Sequence, residues 1–185
     1  MTAEEFKELN PAQKRVTIAQ DVIDQLDAGK YKAKSGNYLN FKKEFIPAEE
    51  GADLQEILNK ATVCEVCALG AAFASYVRIN DQCPFNPEEW TMDYNDDGDV
   101  ELRGRTCFTF QETMMQLFGP QLDLIEAAFE GSFSALLRLY THEINQDDLR
   151  NARNMYPIML DDEPRLRLIM HNIIDNKGDF VLPKK

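Results

Sequence analysis

The feature that most constrains the fold is an apolar run near the middle of the chain, at residues 63 to 77. As a helix, this run would be apolar on nearly every side, and such helices are buried inside a protein. Gly70 costs a helix about 1 kcal/mol relative to alanine, so we expect another helix to pack closely against it. Thr62 and Glu65 have the spacing of a capping box. The sequence therefore predicts a central buried helix over residues 62–79.

Helical signals flank this run on both sides. Asn10 and Gln13 have the spacing of a capping box at the start of an amphipathic helix, and Gly29 follows its last apolar turn. Apolar residues recur at helical spacing from residue 111 almost to the end of the chain, where Gly178 ends the last helix. We expect six to eight helices around the central one.

Two segments have the alternating pattern of β-hairpins. The first spans residues 30–41 around a turn at residues 35–37, and the second spans residues 90–102 around a turn at residues 95–98. Cys107, Phe108 and Phe110 suggest one more short strand. The predicted fold class is therefore α+β and mainly α-helical, with one or two short hairpins, in a single domain of 185 residues.

Charge is distributed unevenly along the chain, whose net charge is −12. The lysine segment, residues 30–43, carries five lysines and no acid, so the rest of the chain carries −17. The acidic segment, residues 88–101, carries seven acids and no base. The acidic segment has two interpretations: it is a solvated loop, or it forms a surface that binds a basic partner. The candidate partner-binding residues are Asp93, Asp96, Asp97, Asp99, Glu101, Lys30, Lys32 and Lys34.

The composition also restricts the classes of partner. A strongly acidic protein is repelled by nucleic acid and by anionic lipid, so direct nucleic-acid binding is not expected. A protein partner with a basic surface, or a second copy of the chain, suits this charge.

The sequence shows neither a signal peptide nor an apolar run of about 20 residues, and the four cysteines suggest reduced thiols. We expect a cytoplasmic protein that does not span a membrane.

A metal site is the main alternative function. Asp93, Asn95, Asp97 and Asp99 follow the first half of an EF-hand calcium loop, but the twelfth position is Gly104 instead of glutamate. The predicted flanks are also strands, so an acidic hairpin turn accounts for the same residues.

The cysteines offer a second metal hypothesis. Cys64 and Cys67 have the spacing of a zinc pair, and Cys83, Cys107, His142 and His171 could complete the site. The spacings match no zinc module, and the pair lies in an apolar run, so buried free cysteines account for it more simply. We expect these two thiols to be buried, reduced and free of metal.

The sequence offers few groups for catalysis. It contains two histidines, no Gly-x-Ser-x-Gly, no phosphate-binding glycine loop and no His-Glu-x-x-His. We expect His171 to lie beside the apolar face of the last helix. The sequence therefore favours a protein without enzymatic activity and without a cofactor, although an unrecognised enzyme is an alternative.

Three segments carry a family resemblance. The amphipathic helix, the Lys-Tyr-Lys-Ala-Lys-Ser-Gly-Asn-Tyr segment and the Val-Cys-Ala-Leu-Gly-Ala segment at 66–71 resemble, in this order, a domain family of unknown function in bacterial and phage proteins. The closing segment, from Leu166 to Phe180, resembles the end of phage-encoded relatives. The resemblance covers residues 11–80 and 160–183 and implies a small intracellular protein, without implying an activity or a catalytic residue. Together with the charge, it suggests a phage-encoded acidic factor that binds and modulates a host protein.

Overall fold

The computed structural model shows helices packed around a central helix, together with one sheet. The structure describes residues 1–36, 38–42, 54–80, 91–94, 99–103, 108–131, 145–156 and 161–183. Within these residues the helices are α1 (Ala3–Lys7), α2 (Pro11–Asp27), α3 (Leu54–Lys60), α4 (Ala68–Asn80), α5 (Phe108–Phe118), α6 (Gln121–Glu130), α7 (Gln146–Met155) and α8 (Asp162–Asp175). The strands are β1 (Tyr31–Ala33), β2 (Leu39–Lys42), β3 (Cys64–Val66), β4 (Thr91–Tyr94) and β5 (Asp99–Arg103).

Helix α4 is the centre of the fold. Residues 68–75 and Val77 are buried, and the helix contacts α1, α2, α3, α5 and α6 as well as strands β2 and β3. The apolar character on all sides of this helix is therefore matched by neighbours on all sides. The prediction of a mainly α-helical α+β fold around a central buried helix is confirmed.

The central helix begins later than predicted, at Ala68 instead of residue 62. Residues 64–66 form strand β3, in which Cys64 and Val66 are buried and Glu65 is partly exposed, as the alternation of a strand requires. The sulfur of Cys67 accepts a hydrogen bond from the backbone N–H of Gly70 at 3.4 Å, which satisfies a donor in the first turn of α4. The predicted capping box at Thr62 is wrong, because β3 pairs with strands on both of its sides.

Gly70 allows a close backbone contact, although the neighbour is not a helix. A Cβ atom at this position would lie 1.5 Å from the backbone oxygen of Tyr38 and 2.4 Å from its carbonyl carbon. Tyr38 directly precedes strand β2. The prediction of a close approach is therefore confirmed, but the chain that crosses α4 is the beginning of a strand.

The sheet contains five described strands in the order β1-β3-β2-β5-β4. Strand β3 lies between β1 and β2, parallel to β1 and antiparallel to β2. The predicted hairpin of residues 30–41 is therefore wrong, because β1 and β2 follow one another in the chain but are not neighbours in the sheet. The second predicted hairpin is confirmed, since β4 and β5 pair in antiparallel orientation from Thr91 opposite Arg103 to Tyr94 opposite Val100.

The outer helices follow their local signals. Asn10 and Gln13 form the expected capping box of α2, and Gly29 has the left-handed backbone that follows the end of this helix (φ +66°). Residues 108–110 begin helix α5 instead of the expected short strand, and Cys107 lies outside the described residues. Burial of Met114, Leu117 and Phe118 at helical spacing is the reason for that difference. No described helix is both long enough and apolar enough to cross a bilayer.

Candidate functional site

One register row of polar residues crosses the whole sheet. From the β1 edge to the β4 edge, the residues that lie opposite one another are Lys32 (β1), Glu65 (β3), Asn40 (β2), Glu101 (β5) and Asp93 (β4). Three of these five residues are acidic, and two of them belong to the strands at one edge of the sheet. The row therefore runs from a basic residue at the β1 edge to acidic residues at the β4 edge.

The acidic end of this row is the hairpin of β4 and β5, which we name the acidic hairpin. The register sets Asp93 directly opposite Glu101, and Asp99 opposite Lys42 of β2. Cβ atoms of directly opposed residues are about 4.5–5.5 Å apart, and like charges at such positions destabilise a sheet. The fold therefore brings together two acids that are eight positions apart in the sequence. Asn95, Asp96 and Asp97 lie outside the described residues.

The lysines at the other edge are partly neutralised within the sheet. Lys32 Nζ lies 2.9 Å from Glu65 Oε1, and Lys34 Nζ lies 2.5 Å from Glu65 Oε2. Partial burial alone would raise the pKa of Glu65, but the hydrogen bonds from Lys34 and Lys32 outweigh it and lower that pKa. Lys30 is exposed immediately before β1. The sequence does not reveal this neutralisation, because Glu65 is distant in the chain.

A group of carboxylates on α6 was missed by the sequence reasoning. The hydroxyl of Tyr38 donates a hydrogen bond to Glu126 Oε1 at 3.3 Å, and the N–H of Gly36 donates one to Glu130 Oε2 at 2.9 Å. Burial, followed by the charge of Glu126, raises the pKa of Tyr38. These hydrogen bonds connect the segment that precedes β2 to helix α6, so we assign the two carboxylates a structural role.

A sequence signal for this cluster did exist. Leu122, Ile125 and Phe129 are the apolar stripe of α6, and Glu126 lies within the same face because it is four positions after Leu122. Glu126 is accordingly only 4% exposed. A carboxylate inside an apolar stripe indicates a buried polar contact, here with Tyr38.

The two described cysteines are buried free thiols, as predicted. They lie in β3 and just before α4, and not together in one helix. Burial raises the pKa of Cys64 to about 11, and burial together with the nearby charge of Glu130 raises that of Cys67. Both thiols are therefore poor nucleophiles at neutral pH.

Within the described residues, no group of three or more histidine, cysteine or acidic side chains is placed to hold a metal ion. Cys83, Cys107 and His142 lie outside those residues, so the zinc site that would include them stays a prediction. His171 is exposed on α8, and not beside its apolar face as expected. No protein-family model, curated protein or solved structure matches the chain.

Proposed function

We propose that this protein is a non-enzymatic interaction protein that binds a basic surface of another protein through the acidic hairpin. The observation that carries the proposal is the register of Asp93 opposite Glu101 at the edge of the sheet. Like charges directly opposite one another destabilise a sheet. Natural proteins break such local rules at functional or strained sites and compensate for them elsewhere.

A basic partner would relieve this repulsion. A lysine or arginine side chain near both carboxylates would form charge-assisted hydrogen bonds and would remove the unfavourable term at the same time. The net charge of −12 would also accelerate the encounter with a basic surface, because long-range attraction steers association. The resemblance to phage proteins is the reason for proposing a host protein as the partner, whose activity the complex would modulate or inhibit.

The described thiols and one buried phenol favour a binding role over nucleophilic catalysis. The thiols of Cys64 and Cys67 have raised pKa values, and so does the buried phenol of Tyr31. Groups that resist deprotonation at neutral pH are poor nucleophiles and poor general bases. We therefore propose binding, and not bond-making chemistry, as the function.

The proposal is tested by capture from cells of the native host, with quantification of the retained proteins. The tagged wild-type chain is compared with the variant Asp93→Asn/Glu101→Gln and with the control Glu8→Gln/Asp175→Asn. The control removes the same charge from two exposed positions on other elements. A host protein retained in stoichiometric amount by wild type and control, but lost with the hairpin variant, would support the proposal. Equal retention by all three chains, or no retained protein at all, would refute it.

Self-association is the second candidate, and the strand order favours it specifically. Lys32 belongs to one edge strand and Asp93 to the other, four strand spacings or about 19 Å away. Glu65 offsets only one of the lysine charges near the β1 edge, so each copy would still offer edges of opposite net charge, which permits a head-to-tail contact. Molecular mass measured by light scattering at low and high salt distinguishes the candidates. A salt-sensitive oligomer favours self-association, and a monomer at both salt concentrations favours a foreign partner.

A further inference from the structure

The sheet ends in a short strand at each edge, and the two edges differ in their surroundings. Strand β1 packs beside helices α2 and α8, and its Tyr31 is buried. Strand β4 contacts mainly β5, and in the part of the chain that the structure describes it has a strand on one side only. The β4 edge is therefore the edge at which a further strand could be added.

Strand β4 directs backbone donors and acceptors away from the sheet. In an antiparallel pair, the N–H and C=O groups of one residue point toward the neighbouring strand, and those of the next residue point away from it. Two of the four residues of β4 therefore direct their N–H and C=O groups away from β5. Such a row of groups is a template on which an extended segment of another chain can pair.

The two faces of β4 suit different residues in an added strand. Asp93 is opposite Glu101 on one face of the sheet. Met92 belongs to the other face, because successive residues of a strand alternate, and it is opposite Leu102. Leu102 is in turn opposite Leu39, which is buried in the core. An added strand would therefore extend an acidic row on one face and an apolar row on the other.

A basic residue in the added strand suits the acidic row. Neighbouring strands are about 4.8 Å apart, so a residue opposite Asp93 would lie about 4.8 Å from it and about 9.6 Å from Glu101. The long side chains of lysine and arginine reach over such distances and form charge-assisted hydrogen bonds with carboxylates. An acidic residue at the same position would be repelled, so strand β4 of a second copy, which brings its own Asp93, is a poor occupant.

We propose that the β4 edge pairs with an extended segment of the partner protein in which basic residues alternate with apolar residues. This inference rests on the proposed function and adds the form in which the partner is recognised. Main-chain hydrogen bonds to β4 supply affinity, and the alternation supplies specificity, with basic positions beside Asp93 and apolar positions beside Met92. A basic helix would not fit, because its N–H and C=O groups are already paired with one another.

Strand β1 of a second copy is the competing occupant, since its sequence has the same alternation. Two of its features oppose this pairing. Helices α2 and α8 pack beside β1 and restrict the approach of another sheet. The ammonium groups of Lys32 and Lys34 are already paired with Glu65. A foreign segment is therefore favoured, and the second copy is an outcome of the test.

The test is binding of the peptide acetyl-Val-Lys-Val-Arg-Val-Lys-Val-amide, measured by calorimetry. Two further peptides have the same sequence, one N-methylated at its basic residues and the other at its valines. Because the N–H groups of successive residues point to opposite edges of a strand, only one of these two peptides loses the donors that face β4. We expect that peptide to lose binding and the other to keep it. Hydrogen exchange followed by NMR should show two amides of β4 that become protected when the parent peptide binds.

Variants at Asp93 test the position of the basic residue. Asp93→Asn should weaken binding of the parent peptide about tenfold or more, because it removes a charge-assisted hydrogen bond. Asp93→Lys should lose the parent peptide and bind the peptide that has glutamate in place of lysine and arginine. Asp175→Lys makes the same change at an exposed position on α8 and should leave the preference for the basic peptide unchanged. Thermal melting of each variant checks that it is folded.

Three results would overturn the proposal. Equal binding of the two methylated peptides would show that charge alone holds the segment, and the proposed function would then stand without strand pairing. No measurable binding of the parent peptide would exclude the β4 edge as its site. Protection of β4 amides without peptide, increasing with protein concentration, would show that a second copy occupies the edge. Failure of the proposed function is seen separately, as equal retention of host proteins by wild type and Asp93→Asn/Glu101→Gln in the capture experiment.

Discussion

Replacing Gly70 by alanine should destabilise the protein although alanine is the better helix former. The new Cβ atom would lie 1.5 Å from the backbone oxygen of Tyr38, whereas ordinary contacts of this kind begin at 3.4 Å. The backbone of Tyr38 would therefore have to withdraw by about 1.9 Å, the difference between these two distances. Tyr38 is joined directly to the first paired residue of β2, and backbone beside a packed core does not move by such an amount without loss of contacts.

Two contacts would be affected by this movement. Leu39, the next residue, is 1% exposed and pairs with Val66 in the sheet. The hydroxyl of Tyr38 donates its hydrogen bond to Glu126. Overpacking costs about 1–3 kcal/mol, and a hydrogen bond to a charged group contributes about 1.5–3 kcal/mol. Alanine returns about 1 kcal/mol of helix propensity, so the free energy of unfolding should fall by about 1.5–5 kcal/mol.

Thermal and urea unfolding, followed by circular dichroism, measure this change. A loss of about 1.5–5 kcal/mol corresponds to a fall in Tm of roughly 3–20 °C for a chain of this length. Gly29→Ala is the control, because its Cβ meets nothing within 4 Å and only its positive φ of +66° opposes the substitution. The control should lose about 1 kcal/mol, the cost of a left-handed alanine. A Gly70→Ala protein that melts at or above the wild-type temperature would refute the reasoning.

The remaining predictions concern titration, reactivity and calcium. Burial raises the pKa of Asp123 from 3.8 to about 6, so the folded state binds this proton more tightly and stability falls as pH rises through that range. Asp123→Asn should therefore stabilise the protein by about 1 kcal/mol at neutral pH, after allowance for solvent screening, and should have no such effect below pH 3.8. Urea unfolding at neutral pH and below pH 3.8 measures this difference, with exposed Asp175→Asn as the control. Iodoacetamide should leave Cys64 and Cys67 unlabelled in the native protein at about pH 8 and label both in urea, as peptide mass spectrometry would show. Calcium should bind to the loop between β4 and β5 with a dissociation constant in the millimolar range or weaker, because strands flank this loop and glutamate is missing at its twelfth position. Calorimetry that shows micromolar calcium binding, abolished by Asp93→Ala, would contradict this.

Local signals in the sequence were sufficient for elements that depend on neighbours in the chain. The two ends of α2 were predicted correctly from the capping box of Asn10 and Gln13 and from the turn at Gly29, because each of these signals acts within a few residues. The hairpin of β4 and β5 is also a local pairing. The close contact at Gly70 could be predicted because glycine destabilises a helix, and the close approach of a neighbouring backbone is a common reason for its presence there.

Pairings between distant segments could not be predicted in this way. Residues 64–66 join β1 and β2 across more than twenty intervening residues, and this pairing converts an expected helix start into a strand. The same pairing brings Glu65 to Lys32 and Lys34 and so reduces the charge of the lysine segment. The candidate site depends on non-local geometry too, since the row from Lys32 to Asp93 exists only once the strand order is known.

The most direct test of the central claim is the association rate of the captured host protein with the purified chain, measured across a series of salt concentrations. Asp93→Asn/Glu101→Gln should slow association and reduce its dependence on salt, because long-range attraction between charges acts mainly on the rate of encounter. The same variant should be at least as stable as wild type, since it removes a repulsive pair. The control Glu8→Gln/Asp175→Asn should associate at nearly the wild-type rate. An unchanged association rate and salt dependence in the stable hairpin variant would contradict the account.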